Sequence, residues 1–165
     1  MFVRASLEKR ENMTNNDILR RIRYTLDMGD DKVIDVFSQG DLEVTRAQIS
    51  DWLKKEEDPD YRKCTDPVFA AFLNGLINDK RGKKEGPPRP TEQKLDNNLI
   101  LTKLKIALNL QADELVDVMK SGGLSLSKHE LSAFFRKAGH KHYRECKDQS
   151  LRSFLKGIQK KYRDT

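Results

Sequence analysis

The sequence predicts an all-α fold built from two tandem, homologous four-helix units that are related by a pseudo-twofold axis. The first observation is an internal repeat: residues 15–82 align without a gap on residues 97–164, and 20 of the 68 aligned pairs are identical. The second observation is that apolar residues recur at spacings of three and four in four segments of each unit. The third is size, because a unit this small makes a marginal core alone, so burial between the units is expected.

The first two helices of each unit follow from apolar spacing and from a glycine stop signal. The first helix is predicted at about 16–27, and its partner in the second unit at about 98–109. The second helix is predicted at about 31–39 and ends near Gly40, as its partner ends near Gly122.

The last two helices have marked starts. The third is predicted to begin at Thr45 in the first unit and at Ser127 in the second, each followed three residues later by Gln or Glu, which is a capping box. The fourth is predicted to begin at Asp66, with its carboxylate as the N-cap and Pro67 in the first turn.

Gly75 and Gly157 lie at equivalent positions inside the fourth helices. A glycine within a helix costs about 1 kcal/mol relative to alanine. Two of them predict a close helix contact, either between the two fourth helices or between each fourth helix and a neighbour.

The repeat divides the chain into unit one (15–82) and unit two (97–165), joined by a linker (83–96). The linker contains Gly-Pro-Pro-Arg-Pro at 86–90, which favours an extended, semi-rigid spacer. Residues 1–14 are predicted to be an N-terminal tail. Residues 8–12 can be encoded almost wholly by purines, like a ribosome-binding site, so we expect a native start at Met13; the alternative is a short disordered tail.

Composition argues against a membrane protein and for a cytoplasmic one. The longest apolar run is six residues, 68–73, far below the ~20 needed to span a bilayer. Residues 1–13 hold no apolar core of the kind found in secretory signals. With only two cysteines, no disulfide framework is expected, and a reducing compartment is the natural location.

Charge is shared unequally between the units: unit one carries a net charge of −3, whereas residues 97–164 carry +7. This unequal charge has three possible interpretations. Unit two faces an anionic partner such as DNA or RNA, the acidic unit docks on the basic one, or the basic surface has no partner.

A Tyr-Arg-x-Cys-x-Asp motif occurs once in each unit, directly before the fourth helix. Its residues are Tyr61, Arg62, Cys64 and Asp66 in unit one, and Tyr143, Arg144, Cys146 and Asp148 in unit two. A structural role is the favoured interpretation, with the aspartate as a helix cap and the cysteine in a small apolar gap. A reactive thiolate beside the arginine is the alternative, but unit one has no histidine to act as its base. We therefore expect a non-enzymatic protein.

No metal or cofactor is expected. The spacing of His140, His142 and Cys146 offers two or three zinc ligands, but no fourth is evident, and unit one has Asp58 and Asp60 in place of the two histidines.

A weak likeness to a helix-turn-helix covers residues 42–53, where a turn is followed by a capped amphipathic helix, although Glu43 stands where that turn usually has glycine. If the repeat binds nucleic acid, the basic side chains of unit two are the candidates. They are Lys128, Arg136, Lys137, Lys141 and Arg144.

Residues 13–165 resemble the uncharacterised bacterial family of YehS-like proteins. The resemblance rests on 15–20 (Asn-Asn-Asp-Ile-Leu-Arg), on 52–56 (Trp-Leu-Lys-Lys-Glu), on 72–77 (Phe-Leu-Asn-Gly-Leu-Ile) and on the two Cys-x-Asp sequences. It implies a small cytosolic protein with this duplicated unit, and it implies no activity, ligand or functional residue.

The unequal charge and the lack of catalytic residues predict a binding function. The leading hypothesis is binding of nucleic acid through unit two. The alternative is binding of another protein through an apolar groove between the units or through the acidic surface of unit one.

Overall fold

The computed structural model describes residues 13–164, which form eight α-helices, one 3-10 turn and no strand. The all-α prediction is confirmed. Unit one contains α1 (Asn15–Thr25), α2 (Asp30–Gln39), α3 (Arg46–Leu53) and α4 (Asp66–Arg81). Unit two contains α5 (Asn97–Ala107), α6 (Ala112–Ser121), α7 (Lys128–Ser132), the 3-10 turn (Ala133–Phe135) and α8 (Asp148–Tyr162). Within the described part of the chain, no helix combines the length and the apolar character that crossing a membrane requires.

The two units pack through their first and fourth helices in a reciprocal arrangement. Helix α1 of unit one lies against α8 of unit two, and α4 of unit one lies against α5 of unit two. Inside each unit, the fourth helix packs on the second, α4 on α2 and α8 on α6. Apolar side chains from both units, including the fully buried Phe37, Phe72 and Phe154, form one continuous core. Burial between the units is the result expected from their small size.

Helix starts agree with the sequence except at the fourth helix. Capping boxes are present at Thr45 and Ser127, as predicted. The prediction that Asp66 caps α4 is wrong, because Thr65 occupies the N-cap position and Asp66 is the first helical residue. Helix α8 likewise has Lys147 at its N-cap, which puts Asp148 in the first turn. Both carboxylates accept hydrogen bonds from donors outside their own helices: Asp66 from Asn15 and Leu95, and Asp148 from Asn97 and Met13.

The paired glycines mark two places where helix backbones touch. A Cβ atom on Gly75 would lie 1.8 Å from the carbonyl oxygen of Val36 in α2, and one on Gly157 would lie 2.0 Å from the equivalent carbonyl oxygen in α6. The glycines that end the second helices, Gly40 and Gly122, approach the fourth helices as closely. The glycine contact is therefore between each fourth helix and its neighbour within the unit, the second of the two predicted alternatives.

The residues just before α1 and the linker before α5 both make defined contacts with the helices. Residues 1–12 of the predicted tail lie outside the described residues. Met13 and Thr14, which we grouped with that tail, have defined contacts, since Thr14 forms a capping box with Asp17 at the start of α1. In the linker, Glu92 forms an ion pair with the buried Lys103 at 2.7 Å, and this contact ties the spacer to α5.

Candidate nucleic-acid interface

A buried asparagine organises the loop that carries the repeat motif. In unit one, the side-chain amide of Asn16 donates to the carbonyl oxygens of Trp52 (2.9 Å) and Arg62 (2.8 Å), and its oxygen accepts the N–H of Cys64 at 2.9 Å. Asn98 makes the same three contacts in unit two, with Phe134, Arg144 and Cys146 as partners. These bonds fix the path of the loop between the third and fourth helices at the same place in both units.

The two cysteines of the motif are free and buried. Burial, with a smaller contribution from the Asp66 carboxylate, raises the pKa of the Cys64 thiol to about 12. Burial, followed by the Asp148 carboxylate, raises the pKa of the Cys146 thiol to about 12 as well. Neither thiol has the lowered pKa that nucleophilic chemistry requires. These contacts support the structural interpretation of the motif.

The loop between the 3-10 turn and α8, which we call the basic loop (136–145), borders an open hollow of about 290 Å³. It is tied down by backbone bonds from Arg144 N–H to the carbonyl oxygen of Ala133 (3.1 Å) and from Tyr143 N–H to that of His140 (2.9 Å). The hollow is lined by basic, imidazole and phenol side chains together with Glu130. The basic and aromatic lining residues are His129, Arg136, Lys141, His142, Tyr143 and Arg144. Glu130 is engaged elsewhere, because its carboxylate accepts the N–H of Ser127 in the capping box of α7.

The five predicted nucleic-acid contacts lie in three different surroundings. Arg136, Lys141 and Arg144 line the same hollow, and the Arg144 guanidinium lies over the ring of Phe134 at 5.1 Å. Lys137 is exposed on the same loop. Lys128 forms an ion pair with Asp113. The equivalent ion pair joins Arg46 to Asp31 in unit one, so this contact is common to both repeats.

The equivalent loop of unit one (54–63), which we call the balanced loop, has four basic residues and four acidic ones. The basic loop has four basic residues and one acidic one. Four carboxylates of the balanced loop, at 56, 57, 58 and 60, are replaced by Ala138, Gly139, His140 and His142, while Glu145 stands in place of Lys63 and Lys141 in place of Pro59. A fifth carboxylate, Asp51, is replaced by Ala133. In unit one Asp51 forms an ion pair with Lys54 at 2.6 Å, and this pair has no counterpart at Arg136.

The likeness to a helix-turn-helix does not extend to the placement of these residues. The third helix ends at Leu53 in unit one, and α7 ends at Ser132 in unit two. Arg136 and Lys137 therefore follow α7 and the 3-10 turn instead of lying on an exposed helix face. With five residues, α7 is also too short to present a row of side chains to a groove of DNA.

Sequence reasoning missed the part played by the histidines and Tyr143. His129, His142 and Tyr143 line the hollow beside the basic residues, whereas we considered His140 and His142 only as candidate metal ligands. The available signal was the replacement of Asp58 and Asp60 by histidine, which removes negative charge whether or not a metal binds. Among residues 13–164 there is no group of three or more His, Cys, Asp or Glu side chains placed to hold a metal ion.

Comparison with known proteins agrees with the duplicated organisation. Residues 15–82 and residues 97–164 each match a family described as a protein of unknown function (DUF1456). The chain belongs to this family. It is 40% identical over 147 residues to the uncharacterized protein YehS of Escherichia coli (strain K12), an alignment that covers 88% of this chain and 94% of that protein. The resemblance to YehS-like proteins is thereby confirmed, and no solved structure matches the chain.

Proposed function

We propose that the protein is a non-enzymatic, cytoplasmic nucleic-acid-binding protein whose binding surface is the basic loop of unit two. The observation that carries the proposal is the difference between the two loops. They have the same backbone anchors and the same number of basic residues, but the basic loop has one carboxylate where its counterpart has four. Cations that outnumber the neighbouring carboxylates on one surface attract phosphates and release counterions when they bind them.

The arrangement favours phosphate contacts over ion pairs within the protein. In unit one, Lys54 is held by Asp51 and the backbone of the balanced loop is turned by the Asp58 carboxylate. In unit two, the same turn is made by an imidazole nitrogen, because His140 Nδ1 accepts the N–H of His142 at 3.0 Å. The turn is thus preserved while the negative charge is removed. This selective loss is what an anion-binding surface needs.

Two further observations support the other parts of the proposal. The thiols, which are the nucleophiles of the repeat motif, are buried and have pKa values near 12, which argues against an enzyme that uses them. Both cysteines are free, which suits a reducing compartment such as the cytoplasm.

Fluorescence anisotropy of labelled oligonucleotides against the full chain tests the proposal. Three or four phosphate contacts predict that binding is on the order of 20- to 150-fold weaker at ~200 mM than at ~50 mM salt. The double variant Lys137→Glu/Lys141→Glu is expected to bind at least tenfold more weakly than the wild type at ~50 mM salt.

The matched control is Lys55→Glu/Lys63→Glu, which makes the same change in net charge on exposed residues of the balanced loop. It is expected to bind within about twofold of the wild type. Equal losses in both variants would mean that only net charge matters, and absence of binding at ~50 mM salt would refute the proposal and direct attention to a protein partner.

A further inference from the structure

We propose that the basic loop selects single-stranded over double-stranded nucleic acid, with an unpaired base stacked on the imidazole rings beside the hollow. This inference rests on the proposed function and names the class of ligand. It follows from three features of the same surface: the exposed rings, the position of the cations around a hollow, and the absence of a helix suited to a groove.

Two imidazole rings stand together on the exposed side of the basic loop. The centroids of His140 and His142 are 5.6 Å apart, with an angle of 43° between the ring planes, and both residues are exposed. The hydrogen bond from His142 N–H to His140 Nδ1 fixes the orientation of the His140 ring. Next to them lies Tyr143, which is half-buried. Aromatic faces held in place in this way are the platforms on which unpaired bases stack.

The cations are placed to neutralise the backbone of a strand that lies on those rings. Arg136, Lys141 and Arg144 line the hollow together with His142, so a phosphate in the hollow is adjacent to a ring. The alternation of a cationic groove with stacking rings is the usual design of surfaces that bind single strands. At about 290 Å³, the open hollow is at the small end of the range for ligand sites, which suits one phosphate or one base.

A duplex is poorly matched to the same surface. Reading the major groove requires an α-helix or a two-stranded ribbon. The helix that contributes to the lining of the hollow, α7, has five residues and is followed by the 3-10 turn. The bases inside a duplex are already stacked on one another, so only its two end base pairs offer a face to the imidazole pair.

The first experiment compares a labelled 12-nucleotide single strand with the blunt duplex of the same sequence, at pH 8 and ~50 mM salt, against the full chain. The expected result is at least tenfold tighter binding of the single strand. RNA and DNA strands are both measured, and a preference for the single strand in either supports the inference. Equal affinity for strand and duplex would refute it and leave the proposed function standing, whereas no binding to either would refute both.

The second experiment removes the rings and keeps the turn. In His140→Asn/His142→Gln, the new side-chain oxygen at position 140 can accept the backbone N–H of position 142. The Asp58 carboxylate accepts the equivalent N–H from Asp60 in unit one at 2.9 Å, so the loop is expected to keep its shape. Loss of base stacking predicts about fivefold or greater weakening for the single strand. Duplex binding is expected to change by less than twofold.

Lys141→Gln serves as the charge control. Because phosphate contacts are shared by strand and duplex, this variant is expected to weaken both by a similar factor. If the ring variant behaves like the charge variant, the rings do not stack on bases and the inference fails. Thermal unfolding of both variants, expected to match the wild type, confirms that the changes act at the surface.

Discussion

The carboxylate of Asp66 accepts the backbone N–H of Leu95 at 2.9 Å, which joins the start of α4 in unit one to the segment that leads into unit two. Asp148 makes the reciprocal contact, accepting the N–H of Met13 at 3.0 Å. Each carboxylate also accepts an amide N–H from its own unit: Asp66 from Asn15 at 2.8 Å, and Asp148 from the equivalent asparagine at 2.7 Å. The aspartates of the repeat motif thus connect the two units and do not cap their own helices.

The aspartate contacts predict a measurable loss of stability. Asp66→Ala removes the acceptor of two hydrogen bonds to a charged group, so we expect the free energy of unfolding to fall by about 2–4 kcal/mol in urea titrations. Asp117→Ala, at an exposed position on α6, is the control and is expected to change it by less than about 0.5 kcal/mol. Equal stability of the Asp66 variant and the wild type would mean that water replaces these bonds without cost.

The glycine crossings predict an unusually large effect from one added carbon. In Gly75→Ala the new Cβ would meet the carbonyl oxygen of Val36, so the helices must separate. We expect a loss of about 4 kcal/mol or more, or failure to fold, measured by urea unfolding or by recovery of folded protein. Gly29→Ala is the matched control, because no atom lies within 4 Å of its added Cβ, and it is expected to cost about 1 kcal/mol or less. Similar behaviour of the two variants would rule out the backbone contact.

The buried thiols predict that stability falls at alkaline pH. Because the folded-state pKa is raised from about 9 to about 12, the unfolded chain releases these protons first, and stability that is complete below pH 9 declines as the pH rises towards 12. Each thiol contributes about 1.4 kcal/mol per pH unit in that window. Between pH 8.5 and pH 10, the wild type should lose about 2–3 kcal/mol more than Cys64→Ala/Cys146→Ala in urea titrations. Parallel losses in the two proteins would show that the thiols ionise normally.

The ion pair between Glu92 and Lys103 predicts that the linker contributes to folding. Lys103 is 3% exposed and also donates to the side-chain oxygen of Asn74 at 2.6 Å. Burial lowers the pKa of Lys103, and Glu92 opposes that shift. Removing the carboxylate in Glu92→Ala leaves a buried ammonium group without a counter-ion, so we expect a loss of about 3 kcal/mol in urea unfolding.

Adding Lys103→Met to Glu92→Ala should restore most of that stability, since an apolar side chain of similar length has no charge to compensate. A double variant no more stable than Glu92→Ala alone would contradict a role for the buried charge.

The same ion pair makes the contribution of Glu92 depend on pH. Partial burial acts to raise the pKa of Glu92, but the hydrogen bond from Lys103 and the other favourable contacts outweigh it, so the pKa is lowered. The contribution of Glu92 is therefore present above the carboxyl pKa of the unfolded chain and is lost as the pH falls through the folded-state pKa.

Local signals predicted the helices well because each depends on neighbouring residues. The capping boxes at Thr45 and Ser127 need only a hydroxyl and a side chain three residues later. The close contacts at the glycines were predictable because a glycine destabilises the interior of a helix, and the repeat has one at the same position in each unit. The partner helix could not be derived, since it depends on how the second and fourth helices approach in space.

Long-range contacts account for what the sequence did not predict. Asp66 precedes a proline at a helix start, which favours a capping role, and its true donor at Leu95 is 29 residues away. The buried state of Lys103 depends on Glu92, which lies in a proline-rich segment that composition alone describes as a spacer. At the candidate site, the excess of positive charge pointed to unit two. The hollow depends on loop bonds such as Arg144 N–H to Ala133, which have no sequence signature.

The reciprocal contacts of Asp66 and Asp148 have a consequence for the history of the chain. A protein with one unit could satisfy the same contacts as a symmetric homodimer, each subunit accepting the N–H that precedes the first helix of the other. In such a dimer both copies of the loop before the fourth helix have one sequence, so they must be both neutral or both cationic. Joining the copies in one gene removes that restriction, so the charge of one loop can change while that of the other stays the same.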